Sequence, residues 1–405
     1  MSNQRIIIDS IENNFQWVKK EKYFGWDPYD ALNSHFTVGF NNVYLKLFLI
    51  QLNKYSIFNF RPLLKVEKGI DLKGVALFAL AYSKLYKKTL DASYGKELEE
   101  CLNLIKKRSL KNKYKHDCWA SHYFPYISTS RNELQIESPD IIGTSRAIIA
   151  LVEGYKISKY RIFKDAAIDA SNLLLDKFLK KDKEGGFLKY SLTERNNKKI
   201  LNASAQGLEA FSKLLEIYDD DVFRYVCHDI SRFLISKQRD DGSWVYSISE
   251  NGKARLQYDF HQGYMIDGLL SYLPYSQNKN QLLYYINKAA SFYRSKLFTE
   301  SGLSYYRFPL RYPVDIHNQA QGIITFSKLG FLDCEYLLFA NKIALWTVFQ
   351  MQDESGYFYH QKWPIITNKI PYMRWSQAWM ILALATLLEN CDNQNDITSV
   401  IKSPV

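Results

Sequence analysis

Long apolar runs are missing from this sequence: nothing in its 405 residues approaches the roughly 18 consecutive apolar residues that a membrane-spanning helix requires. The amino-terminal segment MSNQRIIIDSIENNFQWVKKEKYF has no apolar core of signal-peptide length either, and the two absences predict a cytoplasmic protein. Cysteine is scarce. Cys101, Cys118, Cys227, Cys334 and Cys391 are odd in number, far apart and never arranged as CxxC. That argues against a disulfide framework and against a zinc cluster built from cysteines alone, so neither a metal nor another cofactor is expected. Acidic residues are outnumbered, 42 Asp and Glu against 53 Lys and Arg, and the formal charge of +11 favours an anionic partner. The densest basic clusters, Lys106, Lys107 and Arg108 with Lys111, Lys113 and Lys115, and Lys177 with Lys180, Lys181 and Lys183, carry no nucleic-acid motif. They read as solvated faces, and nucleic acid is not expected as a partner.

What the chain has in quantity is apolar helix pattern and aromatic residues. Hydrophobic residues make up 47% and aromatics 15%, with 30 Tyr, enough to line a stacking surface for sugars. Length alone predicts two or three domains, but repeat architectures escape that prior because each unit packs only on its neighbours. Five segments share a small or polar start followed by an apolar helix: 139–155, 201–218, 258–273, 316–330 and 373–389. Their register residues Arg146, Gln206, Gln262, Gln321 and Gln377 stand 60, 56, 59 and 56 apart, each followed by Ala or Gly. A second marker keeps the same beat: EGGFLKY, DGSWVY, SGLSYY and SGYFYH, whose glycines Gly186, Gly242, Gly302 and Gly356 are 56, 60 and 54 apart. Amphipathic helices precede these turns, as in DVFRYVCHDISRFLISKQ.

Each unit is therefore a helical hairpin of about 58 residues, an inner apolar helix, an outer amphipathic one and a Gly-aromatic turn. With 74–90 and 97–110 as a further pair and the N-terminal helices added, about six units result, enough to close a ring. The expected fold is all-α, an (α/α)6 toroid, with an open helical solenoid as the alternative. It is read as a single domain over 1–405, with divergent N-terminal units in 1–135 and regular repeats in 136–395.

In such a ring all inner helices start at one end, so residues at those starts converge on a central cavity. The candidates for binding there are Asp140, Arg146, Asn202, Gln206, Gln262, Asn318, Gln321, Arg374, Trp375 and Gln377; for the repeated glutamines, hydrogen bonding between helices is an equal alternative. His261 and His317 beside Asp259 and Asp315, with Tyr258, are the candidates for acid–base catalysis. Two N-terminal stretches are dense in aromatic and polar groups. Residues 22–36 hold Trp26, Asp27, Tyr29 and Asp30, and residues 115–131 hold His116 and Trp119. Aromatic faces stack on pyranose rings and carboxylates take hydroxyl hydrogen bonds, so both are read as a sugar-binding lip, with helix capping as the alternative for Asp30.

The WDPYDALNS start, Arg61-Pro62-Leu63-Leu64, Lys73-Gly74 to Phe78, Cys118-Trp119, HNQAQG and RWSQAWM together resemble a family known mainly from capsule and O-antigen (lipopolysaccharide) biosynthesis gene neighbourhoods. The resemblance spans almost the whole chain and implies a role in cell-surface polysaccharide biosynthesis. The chain departs from it after Cys118-Trp119, reading Ala-Ser-His-Tyr-Phe-Pro where relatives read Gly-Tyr-x-Phe-x-Trp. The toroid more distantly resembles six-hairpin glycosidases, sugar epimerases and lyases, and the terpenoid cyclases. Gln238 to Trp244 is similar to the QxxDGSW repeat of those cyclases, which ties outer helices together; their Asp-x-Asp-Asp proton donor is missing.

The implied function is carbohydrate chemistry on an acidic glycan or its lipid-linked precursor. Epimerase or lyase chemistry needs a His or Tyr base and cations or amides for the carboxylate. The alternatives are a glycoside hydrolase using paired Asp, a non-catalytic glycan-binding or assembly factor, and an isoprenoid cyclase-like protein. An oligosaccharide or lipid-linked glycan is the expected partner, and peripheral membrane association stays open.

Overall fold

The computed structural model describes residues 3–37, 40–127, 133–134, 136–193 and 198–401. Its helices, in chain order, are α1 (Asn3–Lys20), α2 (Val43–Tyr55), α3 (Leu72–Thr89), α4 (Ala92–Lys107), α5 (Lys111–Tyr114), α6 (Ile141–Ser158) and α7 (Arg161–Leu173), then α8 (Leu201–Leu215), α9 (Asp221–Ser236), α10 (His261–Tyr272), α11 (Lys279–Leu297), α12 (Ile316–Leu329), α13 (Cys334–Met351) and α14 (Trp379–Ile401). Helices α3, α6, α8, α10, α12 and α14 form an inner layer in which each packs on the next, and α14 returns to pack on α3. The ring closes, and the fold is an (α/α)6 toroid.

The two layers differ for a physical reason. An inner helix touches an outer helix, two inner neighbours and the crowded axis, so it is buried nearly all round: in α8 every residue from Leu201 to Ser212 is buried. An outer helix buries one stripe, as α9 does with Phe223, Val226, Ile230, Phe233 and Leu234. Three of the six inner starts are capped by carboxylates. Asp71 accepts the Gly74 amide, Asp140 those of Ile142 and Gly143, and Asp315 that of His317.

The sequence repeats leave the place of the N-terminal helices open, and the structure supplies it. Helix α1 is the sixth outer helix, packed on α13 and α14 from the far end of the chain. It buries Ile7, Ile11, Phe15 and Val18, the three-and-four spacing of one helix face. Gln238 donates to the Gly242 and Tyr285 carbonyls, tying the end of α9 to α11. Gln352 repeats the device at the seam, donating to the Gly356 and Ser10 carbonyls and so tying α13 to α1. The turn glycines show why no other residue fits. Gly242 and Gly356 have φ of +89° and +103°, and an added Cβ would lie 2.3 and 2.2 Å from the carbonyl oxygens of Lys288 and Asn13 on the next outer helix. In the first of the four turns this place falls to Gly185, at φ +140°, rather than to Gly186.

A second clamp fixes the starts of five of the six inner helices to their turns. The amides of Trp119, Leu188, Trp244, Ser304 and Phe358 donate to the side chains of Thr144, Ser204, Gln262, Gln319 and Gln377. At the seam Asn14 joins in, its amide nitrogen 2.8 Å from Gln377 Oε1 and 3.2 Å from the Gly356 carbonyl. We expect Asn14→Ala to destabilise the protein by about 1–3 kcal/mol, because buried acceptors lose a donor, against a gain of only some tenths from the better helix former. A urea melt checks this; an unchanged midpoint would mean the seam is held by apolar packing alone.

Candidate functional site

The ends of the inner helices where they begin surround a cavity of about 330 Å³. Which side chains reach it follows from the clamps. The residue two before each clamp faces inward, and Ile142, Asn202, Phe260, His317 and Trp375 all line the cavity. One turn further on, the same inward face carries Arg146, Gln206, Tyr264, Gln321 and Trp379. Of these Gln206 and Tyr264 line the cavity. The others form a plug beneath it. Arg146 pairs with Glu209 at 2.9 Å, Lys328 bridges Glu209 and Asp267, and Gln321 donates to Asp267 at 3.0 Å.

His261 opens α10 and His317 lies in the first turn of α12, each two residues after an aspartate whose side chain accepts its backbone amide. Beyond that shared start the two differ. Asp259 Oδ1 also lies 2.6 Å from His261 Nδ1, a carboxylate–imidazole pair. Burial works against the charge of Asp259, but His261 and the Gln257 amide outweigh it and hold the carboxyl below its ordinary range. His317 instead places Nε2 2.8 Å from the Tyr264 hydroxyl, while its Nδ1 is buried with no hydrogen-bond partner. Burial, then the positive charges of Lys73 and Arg374, push His317 well below the usual imidazole range, so it is neutral. The Phe260 ring stacks on both imidazoles, at 4.2 Å from His261 and 4.1 Å from His317.

Asp259 and Asp315 are the carboxylates among the described residues lining the cavity, and both are heavily engaged. Asp315 sits in a short strand opposite Gln361, accepts from Gln361 Nε2 at 2.6 Å and Trp375 Nε1 at 3.0 Å, and caps α12. Its pKa is raised by burial against those donors. Six cations line the same space: Lys54, Lys73, Lys198, Arg255, Arg307 and Arg374. Arg374 is neutralised by Asp27, 2.8 Å from Nε, and Asp71 at 3.1 Å. Lys73 is different. It is 7% exposed, has no carboxylate within ion-pair distance among the described residues, and lies 5.5 Å over the Trp379 ring. Burial, then Arg374 and Arg146, push its ammonium down to about 7. Among the described residues no three His, Cys, Asp or Glu side chains gather as metal ligands would.

Of the residues singled out from sequence, Tyr29, Asn202, Gln206, Asp259 and His261 line the cavity. Asp315, His317, Asn318, Arg374 and Trp375 do so as well. The rest lie elsewhere, each for a visible reason. Gln262 and Gln377 are turn clamps, Arg146 and Gln321 belong to the plug, and Asp140 caps α6 and holds Ser121. Tyr258 packs on Phe292. The lip expected over 22–36 is mostly scaffold: Trp26 donates to the Val66 carbonyl, Asp27 holds Arg374, and Asp30 is fully buried 2.7 Å from Arg61 Nε. Trp119 is the buried turn aromatic of its unit, donating to Ile105 as Trp244 donates to Leu234. His116 pairs with Asp169 on α7, away from the cavity; the last four residues of its stretch, 128–131, lie outside the described residues. The sequence reading missed Lys73, His360, Tyr190 and Tyr246. Lys73 had a signal, since it follows Asp71 by two residues as His261 follows Asp259 and His317 follows Asp315.

A closed double ring of helical hairpins with a polar cavity at the inner starts defines the class of this protein. No family model matches the chain, and no curated protein does. Among solved structures it is similar to a GH76 α-mannanase from Bacteroides thetaiotaomicron, at TM-score 0.65 and 15% identity over 80% of this chain and 88% of that one. It is similar as well to cellobiose 2-epimerase from Bacillus thermoamylovorans, at TM-score 0.65 and 12% identity over 81% and 90%. A third is an inactive aspartate-to-asparagine variant of a GH76 α-1,6-mannanase from Salegentibacter in complex with α-1,6-mannotriose, at TM-score 0.65 and 14% identity over 96% and 100%. At these identities the likeness is one of fold.

Proposed function

We propose that this protein is a carbohydrate-active enzyme that moves a proton on an acidic sugar, by epimerase- or lyase-type chemistry. One observation carries the reading: of the four histidines that line the cavity, His122, His261, His317 and His360, only His261 has a carboxylate on Nδ1, and neutral His317 meets the Tyr264 hydroxyl, while both cavity carboxylates are already engaged. With Asp259 on Nδ1, His261 presents Nε2 as the base for a carbon-bound proton next to a carboxylate. Lys73 neutralises the charge that develops on that carboxylate. Protonation from the His317–Tyr264 side inverts the centre; departure of a β-oxygen substituent instead gives the unsaturated sugar. The fold's neighbours include both an epimerase and mannanases, which supports a sugar cavity and leaves the reaction to this chain's own residues. A place in capsule or O-antigen biosynthesis rests on the sequence resemblance.

A hydrolase is the second reading. It is favoured by the opposite displacement of the two cavity carboxyls, Asp315 raised and Asp259 lowered, the pattern of an acid and its partner. One experiment separates them. Uronic-acid oligosaccharides are incubated with the protein in deuterium oxide and followed by proton NMR. Deuterium entering the carbon next to the carboxylate, or an alkene signal, is the expected result. New reducing ends without deuterium would establish the hydrolase, and no change in any signal would leave a glycan-binding factor.

A further inference from the structure

Helix α2 stands outside the double ring and along the mouth of the cavity, which it lines with Gln51, Lys54 and Tyr55. It is apolar on two faces: Val43, Leu47 and Ile50 pack on a small core with Ala31, Leu32 and Ile127, and a second stripe faces outward. Tyr44, Phe48, Leu52 and Tyr55, spaced along one face, are exposed, with Phe48 60% so, while Asn53 and Lys54 are among the few buried. An isolated exposed leucine needs no explanation, but an apolar stripe facing solvent does. The stripe also has neighbours. The hairpin Gln361–Lys362/Thr367–Asn368 is tied to the end of α2 by Asn368 Nδ2, 2.9 Å from the Ser56 carbonyl, and its tip carries Ile365, 96% exposed. The turn after Tyr306 and Arg307, both on the cavity wall, ends in exposed Leu310. Leu256, next to cavity residues Arg255 and Gln257, is exposed too. Four separate elements around one opening thus end in apolar side chains.

Their charge is predominantly positive. Residues 40–63, 251–258, 303–314 and 361–372 contain no Asp or Glu, with exposed Glu250 directly before the second of them, and they hold Lys253, Arg255, Arg307, Arg311, Lys362 and Lys369 as well as Lys46 of α2. Apolar tips on separate protrusions, set in a predominantly cationic rim, match the interface of an anionic bilayer: the tips enter the acyl boundary and the cations meet the headgroups. No helix among the described residues is long and apolar enough to cross a membrane, so this is a surface contact.

We infer that the rim of the cavity is a membrane-docking face for anionic lipid, which turns the opening toward a glycan carried on a lipid. The docking rests on the rim alone; the lipid-linked substrate rests in addition on the sugar chemistry proposed above.

The test is co-sedimentation with sucrose-loaded vesicles, of phosphatidylcholine alone and with phosphatidylglycerol added. The wild type is expected to pellet with the anionic vesicles and to be released by salt. Phe48→Ser combined with Ile365→Ser should lower the partition about tenfold or more, through lost apolar insertion. Arg311→Glu should lower it on anionic vesicles only. The substituted side chains are exposed, and an unchanged melting temperature confirms that the fold is intact. No pelleting with anionic vesicles, or pelleting indifferent to all three changes, would overturn the inference. Deuterium incorporation into a soluble uronic-acid oligosaccharide is measured on the same variants. Incorporation without vesicle binding sinks the docking and keeps the chemistry, whereas binding without incorporation does the reverse.

Discussion

His261→Ala is expected to lower the rate of deuterium incorporation about 10²–10⁴-fold while leaving oligosaccharide affinity within a few fold, because it removes the base and little of the binding surface. Asp259→Asn is expected to come close to the same loss. It keeps the shape of the site but removes the charge that faces Nδ1 at 2.6 Å, and with it the stabilisation of the imidazolium formed when the proton is taken. If the two act as a unit, the double variant should be little worse than His261→Ala alone. His261 is part-buried at a helix start and touches Phe260 and Tyr246 by its ring, so a thermal melt must show an intact fold before the rates are compared. Single-turnover rates and binding isotherms on both variants check the prediction. A His261→Ala protein that incorporates deuterium at the wild-type rate would remove His261 from the chemistry and shift attention to His317 and Tyr264. Equal loss of affinity and rate would favour a binding role for the cavity.

The ring and its beat are legible in the sequence because four of the units solve the same backbone problem. A glycine must turn back under the next outer helix, and an amide two residues on must find an acceptor on the inner helix, as Trp244 finds Gln262. Orientation is harder to read. The acceptor is Thr144, Ser204, Gln262, Gln319 or Gln377, chemically interchangeable residues, so aligning the units on glutamine followed by a small residue slips three of them by two positions. On a helix two positions turn a side chain through more than half a circle, which is why Gln206 lines the cavity and Gln262 does not. Polar residues at the inner starts also serve two purposes that composition does not separate. Asp140 satisfies backbone amides, and Asp27 and Asp30 neutralise buried arginines, although all three read from sequence as ligand contacts. The seam was beyond the repeat logic altogether. Asn14 and Gln377 are 363 residues apart, and nothing local in α1 says which end of the chain it will complete.

Lys73→Met is expected to weaken binding of a glucuronic-acid oligosaccharide by about 1.5–3 kcal/mol, roughly ten- to a hundredfold, the worth of a hydrogen bond to a charged group in a buried site. The reason lies in what surrounds it. Arg374 already has Asp27 and Asp71, whereas the Lys73 ammonium is buried beside an aromatic ring with no ion-pair partner among the described residues, and an anionic ligand would supply one. The same burial makes the contact pH-dependent. With the free-protein pKa down to about 7, the charged form that an anion needs becomes the minority as pH rises through that value. Affinity should therefore fall above about pH 7, by up to about tenfold per unit, and the Lys73→Met protein should lose this slope. For the empty protein the sign is opposite. Between about 7 and the ordinary lysine range the unfolded chain holds a proton that the native state has released, so this residue adds stability as pH rises across that window. Isothermal titration at about pH 6 and about pH 8.5 reads the affinity slope, and melts without ligand read the stability slope. Acidic and neutral oligosaccharides that bind alike at both pH values, with or without Lys73, would refute an anionic sugar at this position and leave the cavity to neutral glycans.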